Sequence, residues 1–159
     1  MAFQIRVEFI NPFIIAVAKT FDTMAQCKVI REAPVLKKDM TTLFPVSGII
    51  GLSGRLAGTV VLTMSEELAI KCASAMLMME MKAIDADVMD AVGELTNMIA
   101  GSAKAQLEEY NLKLSLPNVI YGRNTELRFP ENSQPFTIPF RTEFGPMAVE
   151  VGFTSERTE

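Results

Sequence analysis

A carboxylate and a carboxamide three positions apart, Glu94 and Asn97, are the residues of this chain best placed to do chemistry together. They stand in "GELTNMIAGSAKAQL", residues 93–107, inside the longest helical pattern of the sequence. Successive residues of a helix turn by about 100°, so residues three, four and seven apart share a face. Asp90, Glu94, Asn97, Gly101, Lys104 and Glu108 then occupy a band about 80° wide. Val88, Ala91, Val92, Leu95, Ile99, Ser102, Ala103 and Gln106 make the opposite, core-facing stripe. A solvated face would account for the charges alone. Two choices cut against it. The band has no good helix former between Glu94 and Lys104, and Gly101 costs about 1 kcal/mol relative to Ala. The amphipathic pattern continues past Gly101, so it is not a C-cap, and its missing side chain admits close approach.

The rest of the composition narrows what that face can do. The chain has 159 residues, 49% hydrophobic and 21% charged, which suits one globular domain with its own core. It has no histidine, which removes the commonest general base, the commonest metal ligand and every Ser-His or Cys-His arrangement. Cys27 and Cys72 make neither a disulfide framework nor a metal site, and Cys72 falls in an apolar helical pattern as a buried reduced thiol. A net charge of −4 argues against a nucleic-acid binder and against a polybasic membrane anchor. The longest apolar run, Phe13 to Ala18, is far below the ~20 residues of a membrane span. The N-terminus carries Arg6 and Glu8 and no small-residue cleavage site, unlike a signal peptide. A soluble cytoplasmic protein is expected. No glycine-rich phosphate loop or nucleophile constellation points to a small-molecule enzyme.

Several elements must position the helix. Asn11-Pro12 reads as a cap and first residue of a helix running to about Ala25. Cys27 to about Ala33 reads as a strand. Val46 to Leu52 and Leu56 to Met64 read as a hairpin turning at Ser53-Gly54. Ser65 caps a second helix, with Glu66 and Glu67 in its first turn, ending near Met79. The third helix extends from about Asp85 to Glu109. Leu114 to Tyr121 is a strand interrupted at Pro117, and Asn124 to Pro135 is mostly loop. Two alternating strands close the chain, with Phe136, Ile138, Phe140 and Phe144 on one side of the first. Met147, Val149, Val151 and Phe153 do the same in the second, after a turn at Gly145-Pro146. Pro139 marks an edge or a bulge. The order αβββααβββ is a mixed α/β (α+β) fold, two αβββ units plus an extra helix, which hints at internal duplication.

The stretch "DAVGELTNMIAGSAKAQL" strongly resembles the signature helix of the CheX chemotaxis phosphatases, within the wider CheC/CheX/FliY family. In that family an acid or Ser stands four positions before a Glu, with an Asn three positions after it; here these are Asp90, Glu94 and Asn97. "INPFIIAV", "GRLAGTVVLTMSEELA" and "LSLPNVIYG" resemble CheX blocks in the same order, so the likeness covers residues 9 to about 153. Two departures stand out. Pro117 comes slightly early for the proline of the longer CheC-type signature. CheC-type chains also carry two copies of the motif. Glu8 and Asn11 repeat the spacing here, but with Pro12 opening the helix they are not expected to share a face. One usable copy favours CheX over CheC.

The resemblance implies removal of the phosphoryl group from the aspartyl phosphate of a CheY-like response regulator. Asn97 would orient the water, and Glu94 would pair with the receiver's active-site lysine. Asp90 and Lys104 are rim candidates, and Gly101 gives the partner clearance. No cofactor of the chain's own is implied; the receiver would bring its own Mg²⁺. The resemblance also implies a homodimer joined through sheet edges, for which a strand such as Met147 to Phe153 is a candidate. The alternative is a non-catalytic phospho-receiver docking or switch module using the same helix.

Overall fold

The first helix begins earlier than its proline indicates. In the computed structural model, which describes residues 7–154, α1 spans Val7–Met24 and contains Pro12. Asn11 is therefore a helical residue and not the expected cap. Pro12 cannot donate to the carbonyl four residues back, which costs a helix interior one bond. Burial of Phe9 and Ile10, one turn before the buried Phe13, offsets that loss. The Phe9 ring lies 5.0 Å from that of Phe153 and 5.6 Å from that of Tyr110. Tertiary packing outweighs the local stop signal. The reading of Arg6 lies outside the described residues.

The strand expected over Cys27 to Ala33 is reduced to two short pieces, β1 (Ile30–Arg31) and β2 (Val35–Leu36). Both pair antiparallel with β7 (Phe136–Thr142), β1 at Phe140 and Arg141, β2 at Phe136 and Thr137. Pro139 sits opposite the gap. Its carbonyl accepts from Glu32 N–H at 2.9 Å, so its missing N–H would have pointed to the same side. Between them lie β3 (Val46–Ser53) and β4 (Ala57–Met64), a hairpin closed by the Ser53–Ala57 pair, as expected. Helix α2 (Glu66–Leu77) starts at Ser65, whose Oγ accepts from Leu68 N–H at 3.2 Å.

Helix α3 spans Ala86–Ala105 and is capped by Asp85, whose carboxylate accepts from Val88 N–H at 2.9 Å. It is shorter than expected. Glu108 belongs to a separate 3₁₀ turn, Glu108–Tyr110, and Gln106 is exposed, so neither extends the helix's two faces. Two short strands follow, β5 (Lys113–Leu114) and β6 (Asn118–Tyr121), separated at Pro117 as expected. The closing turn is Glu143-Phe144 and not Gly145-Pro146. Gly145, at φ +115°, is already the first residue of β8 (Gly145–Phe153), paired with Thr142.

All eight strands form one antiparallel sheet in the order β1-β7-β8-β4-β3-β5, with β2 also on β7 and β6 also on β3. Strand β8 pairs with β4 on one side and β7 on the other, so Met147 to Phe153 is interior and cannot join a second copy. The free edges belong to β1–β2 and β5–β6. The order is also palindromic. Exchanging the first half (α1, β1–β2, β3, β4) with the second (α3, β5–β6, β7, β8) reverses the sheet onto itself. Each half's short leading strands lie on the other half's hairpin.

One face of the sheet meets the helices: Val46 and Ile50 of β3, Val60 and Leu62 of β4, and Val149 and Val151 of β8 join them in a single core. The other face has a smaller buried layer with Val61, Leu127 and Ala148. Its polar centre is Lys37, just after β2, whose Nζ lies 2.7 Å from Glu150 Oε2 on β8, with side-chain exposures of 2% and 0%. The same ammonium donates to the Thr41 carbonyl at 2.9 Å, and the Thr137 hydroxyl donates to Glu150 Oε2 at 2.6 Å. Removing one member of a buried pair strands the other charge. Glu150→Leu should therefore lower stability by about 3–5 kcal/mol in equilibrium urea unfolding, and the double variant Lys37→Met/Glu150→Leu should recover most of it.

Candidate functional site

The face expected to act is the one strip of α3 that the fold leaves open. Val88, Ala91, Val92, Leu95, Ile99 and Ala103 are buried, and so are Gly93, Thr96 and Ala100 on the helix flanks. The burial comes from several directions. Thr96 sits directly on Gly48 of β3, where a Cβ would overlap its hydroxyl, and that hydroxyl donates to the Val92 carbonyl at 2.8 Å. Helices α1 and α2 also pack on α3. Strands β5 and β6 flank it from Leu114, beside Gly101, to Pro117 and Val119, beside Gly93.

Asp90 and Glu94 are exposed on this strip, and Asn97, Gly101 and Lys104 are half-buried along it. No hydrogen bond or ion pair within the described residues engages Glu94 or the Asn97 amide. Asp90 and Glu94 are like charges one turn apart, an arrangement that costs an isolated helix a few tenths of a kcal/mol (about 0.2–0.5). The fold gains no contact from either. The strip ends in two shallow clefts. One, of about 360 Å³, brings Asp90 and Glu94 together with Met89, Pro117, Asn118 and Val119. The other, of about 590 Å³, brings Gly101 and Lys104 together with Glu108, Asn111 and Lys113. Asn97 stands between the clefts and lines neither. The β5–β6 contribution was not foreseen from the residues, although the break at Pro117 was the available signal.

The two glycines of the helix differ. A Cβ on Gly93 would stand 3.2 Å from Val119 Cγ2, a tight fit against the ribbon. A Cβ on Gly101 would meet only Leu114 Cδ1, at 3.8 Å, an ordinary contact. Packing within the chain thus has room for alanine at 101, and the glycine there has no internal reason.

The second copy of the spacing, Glu8 and Asn11, is helical after all. Both are exposed in the first turns of α1, so the expectation that they could not share a face is corrected. The surroundings differ from those on α3. Four residues beyond Asn11, where α3 has Gly101, α1 carries the exposed side chain of Ile15.

The remaining reactive groups lie elsewhere. Cys27 lines a cleft of about 650 Å³ with Lys28, Arg141 and Phe144, away from α3. Burial raises its thiol pKa, and burial pushes that of Cys72 up to about 12. A thiol held protonated is a poor nucleophile. Among the described residues no group of three or more Cys, Asp or Glu side chains is arranged to hold a metal, and no helix is long and apolar enough to cross a membrane.

Comparison with known proteins places this geometry in context. The family model described as chemotaxis phosphatase CheX matches residues 46–141, a stretch that contains all of α3 and β5–β6. The chain is 34% identical over 83 residues to a Thermotoga maritima protein named CheY-P phosphatase CheX, an alignment covering 50% of this chain and 54% of that protein. It therefore spans about half the length of that relative. A CheC-like superfamily protein from Shewanella sp. PV-4 superposes with a TM-score of 0.86 at 33% identity, over 95% of this chain and 100% of the other. A chemotaxis protein CheX from Vibrio vulnificus does so with a TM-score of 0.84 at 32% identity, over 92% and 99%.

The glycine comparison gives a direct test. Gly101→Ala should stabilise the protein by about 0.5–1 kcal/mol in thermal unfolding, because the helix loses its most flexible residue without a clash. Gly93→Ala should gain less or lose stability, since Val119 has to yield. Both thiols should resist Ellman's reagent at pH 8 until the protein is unfolded.

Proposed function

The chain belongs to the chemotaxis phosphatase CheX family, and from that premise we propose that it hydrolyses the aspartyl phosphate of a CheY-like receiver domain through the open strip of α3. The observation that carries the reading is the pairing of an exposed Glu94 with a half-buried, unengaged Asn97 on the one side of the helix free to meet a partner. The name of the Thermotoga maritima relative gives the substrate class.

Phosphoryl transfer to water requires in-line geometry and charge neutralisation, and little covalent work from the catalyst. Asn97 inserts toward the phosphorylated aspartate. Its carbonyl accepts a hydrogen bond from the attacking water and its NH₂ donates one to the water oxygen or a phosphoryl oxygen. Water adds to phosphorus as the bond to the aspartyl oxygen breaks, which returns a free carboxylate and inorganic phosphate. Glu94, one turn earlier, pairs with the receiver's active-site lysine and sets the register of the insertion. A solvated ion pair contributes only about 0–1 kcal/mol, so its role is orientation within a desolvated contact. The receiver supplies the Mg²⁺ that neutralises the phosphoryl oxygens. Asp90 and Lys104 lie at the two ends of the strip as its charged rim. In this reading the protein works in the cytoplasm, where its substrate is. Copies join through the free edges of β1–β2 or β5–β6.

The test is phosphate release from a CheY-type receiver domain phosphorylated with acetyl phosphate in the presence of Mg²⁺. Asn97→Ala should lower kcat by at least about a hundredfold, the scale of losing one positioned hydrogen-bonding group, while still binding the receiver. Glu94→Ala should lose both binding and turnover. Full hydrolysis by Asn97→Ala would overturn the role given to the amide. No acceleration over receiver autohydrolysis by the unaltered protein would favour docking alone.

A further inference from the structure

We propose that Leu116 is an apolar positioning residue for the docked receiver domain, an inference that rests on the reading of α3 as the receiver-binding strip. Leu116 is 88% exposed, unusual for a leucine fixed between two strands. Its exposure is built by the register. Leu114 pairs with Leu52 and Asn118 with Ile49, so four steps along the β5–β6 segment match three along β3. One residue is extra, which makes residues 115–117 a β-bulge. Ser115 pins it: its N–H donates to the Gly51 carbonyl at 2.8 Å, and its Oγ accepts from Gly51 N–H at 2.8 Å. The parity shift lets Leu114 and Val119, five residues apart, both face α3. Alternation in an unbroken strand would forbid that.

The bulge sets Leu116 level with the amide along the helix axis. Leu114 meets α3 at Gly101, and Pro117 and Val119 meet it at Gly93. Those glycines are about 12 Å apart along the axis at about 1.5 Å per residue. Leu116, between the contacts, is level with Asn97. Bulges beside functional sites re-aim side chains, and this one presents an apolar group to solvent at the height of Asn97 on the helix.

The other half of the molecule provides an internal comparison. Arg31 pairs with Phe140 and Val35 with Thr137, so β1–β2 carries the same one-residue excess, followed by the same proline. The residue equivalent to Leu116 there is Ala33, and the residue equivalent to Gly101 is the exposed Ile15. The bulge is thus a property of the fold. The large apolar side chain on it is confined to the half with the cleared helix. In this proposal a receiver seated on α3 over Asn97 also covers Leu116, and burial of that side chain favours the seated complex.

Leu116→Ser tests this, because a side chain this exposed can be changed without loss of the fold. Two readouts are needed: KM and kcat for phosphate release from the acetyl-phosphate-charged receiver, and calorimetric Kd for the beryllofluoride-loaded receiver with Mg²⁺. Leu116→Ser should raise KM and Kd at least about tenfold, the scale of one leucine losing a buried apolar contact, with kcat within about twofold. Leu116→Met should restore both constants, and Ala33→Ser should change neither. Asn97→Ala should show the opposite split. Unchanged KM and Kd in Leu116→Ser would overturn the proposal, as would a changed oligomeric state with Kd unaltered, which would assign Leu116 to a contact between copies. Weakened binding by Leu116→Ser in a protein that binds but does not hydrolyse would uphold this inference while overturning the phosphatase reading.

Discussion

The close approach of α3 to the sheet at Gly48 governs what the rest of the molecule presents to solvent. With no side chain on Gly48, the Thr96 hydroxyl rests against β3 and is satisfied by its own helix at the Val92 carbonyl. A helix seated this closely cannot roll. Turning it by one residue, about 100°, would bring Leu95 or Ile99 toward water and drive Glu94 toward the core, and burying an unpaired carboxylate is far costlier than exposing a leucine. The outward strip therefore follows from the inward contact. Neighbouring helices and the β5–β6 ribbon narrow it to the few residues whose side chains the fold does not use.

The near-symmetry of the two halves sharpens this point. Both have a long helix, a bulged leading strand broken by a proline, and a hairpin, and both helices carry a Glu and an Asn at the same spacing on an exposed face. They differ in what surrounds that pair. One half opens space on the helix at Gly101 and projects bulk on the adjacent strand at Leu116. The other does the reverse, with Ile15 and Ala33. Exchanging the small and the large side chain between helix and strand lets the same backbone hold two unlike surfaces.

Much of this was legible from residues alone where the governing physics is local. Ser65 caps its helix, α3 starts where its pattern begins after Asp85, the hairpin after Ser53 closes as expected, and the apolar stripe of α3 is the buried one. The misreadings arose where distant contacts decide. Pro12 looks like a start because the packing of Phe9 against Phe153 is invisible in a local window. The strand from Cys27 breaks off after Arg31, where Pro139, over a hundred residues later, offers it no donor. Met147 to Phe153 looked able to serve as an edge, since periodicity reports which face of a strand is buried and not who lies beside it. The strip on α3 was found because helical spacing is local. Its companion on the ribbon was missed because a bulge is a mismatch between two strands, and Pro117 marks a break without saying which partner the ribbon pairs with.

The exchange of leading strands between the halves has a consequence for how the chain acquires its shape. Because β1–β2 completes the hairpin of the second half and β5–β6 that of the first, neither half contains the pieces of its own sheet. Contacts between positions far apart in the chain, Leu36 with Phe136 on one edge and Leu52 with Leu114 on the other, must form before either edge exists, which places most of the ordering cost ahead of the reward. A split between α2 and α3 would leave each fragment without the edge strands that the other supplies. The two αβββ halves are thus interlocked through one sheet and do not form separate lobes.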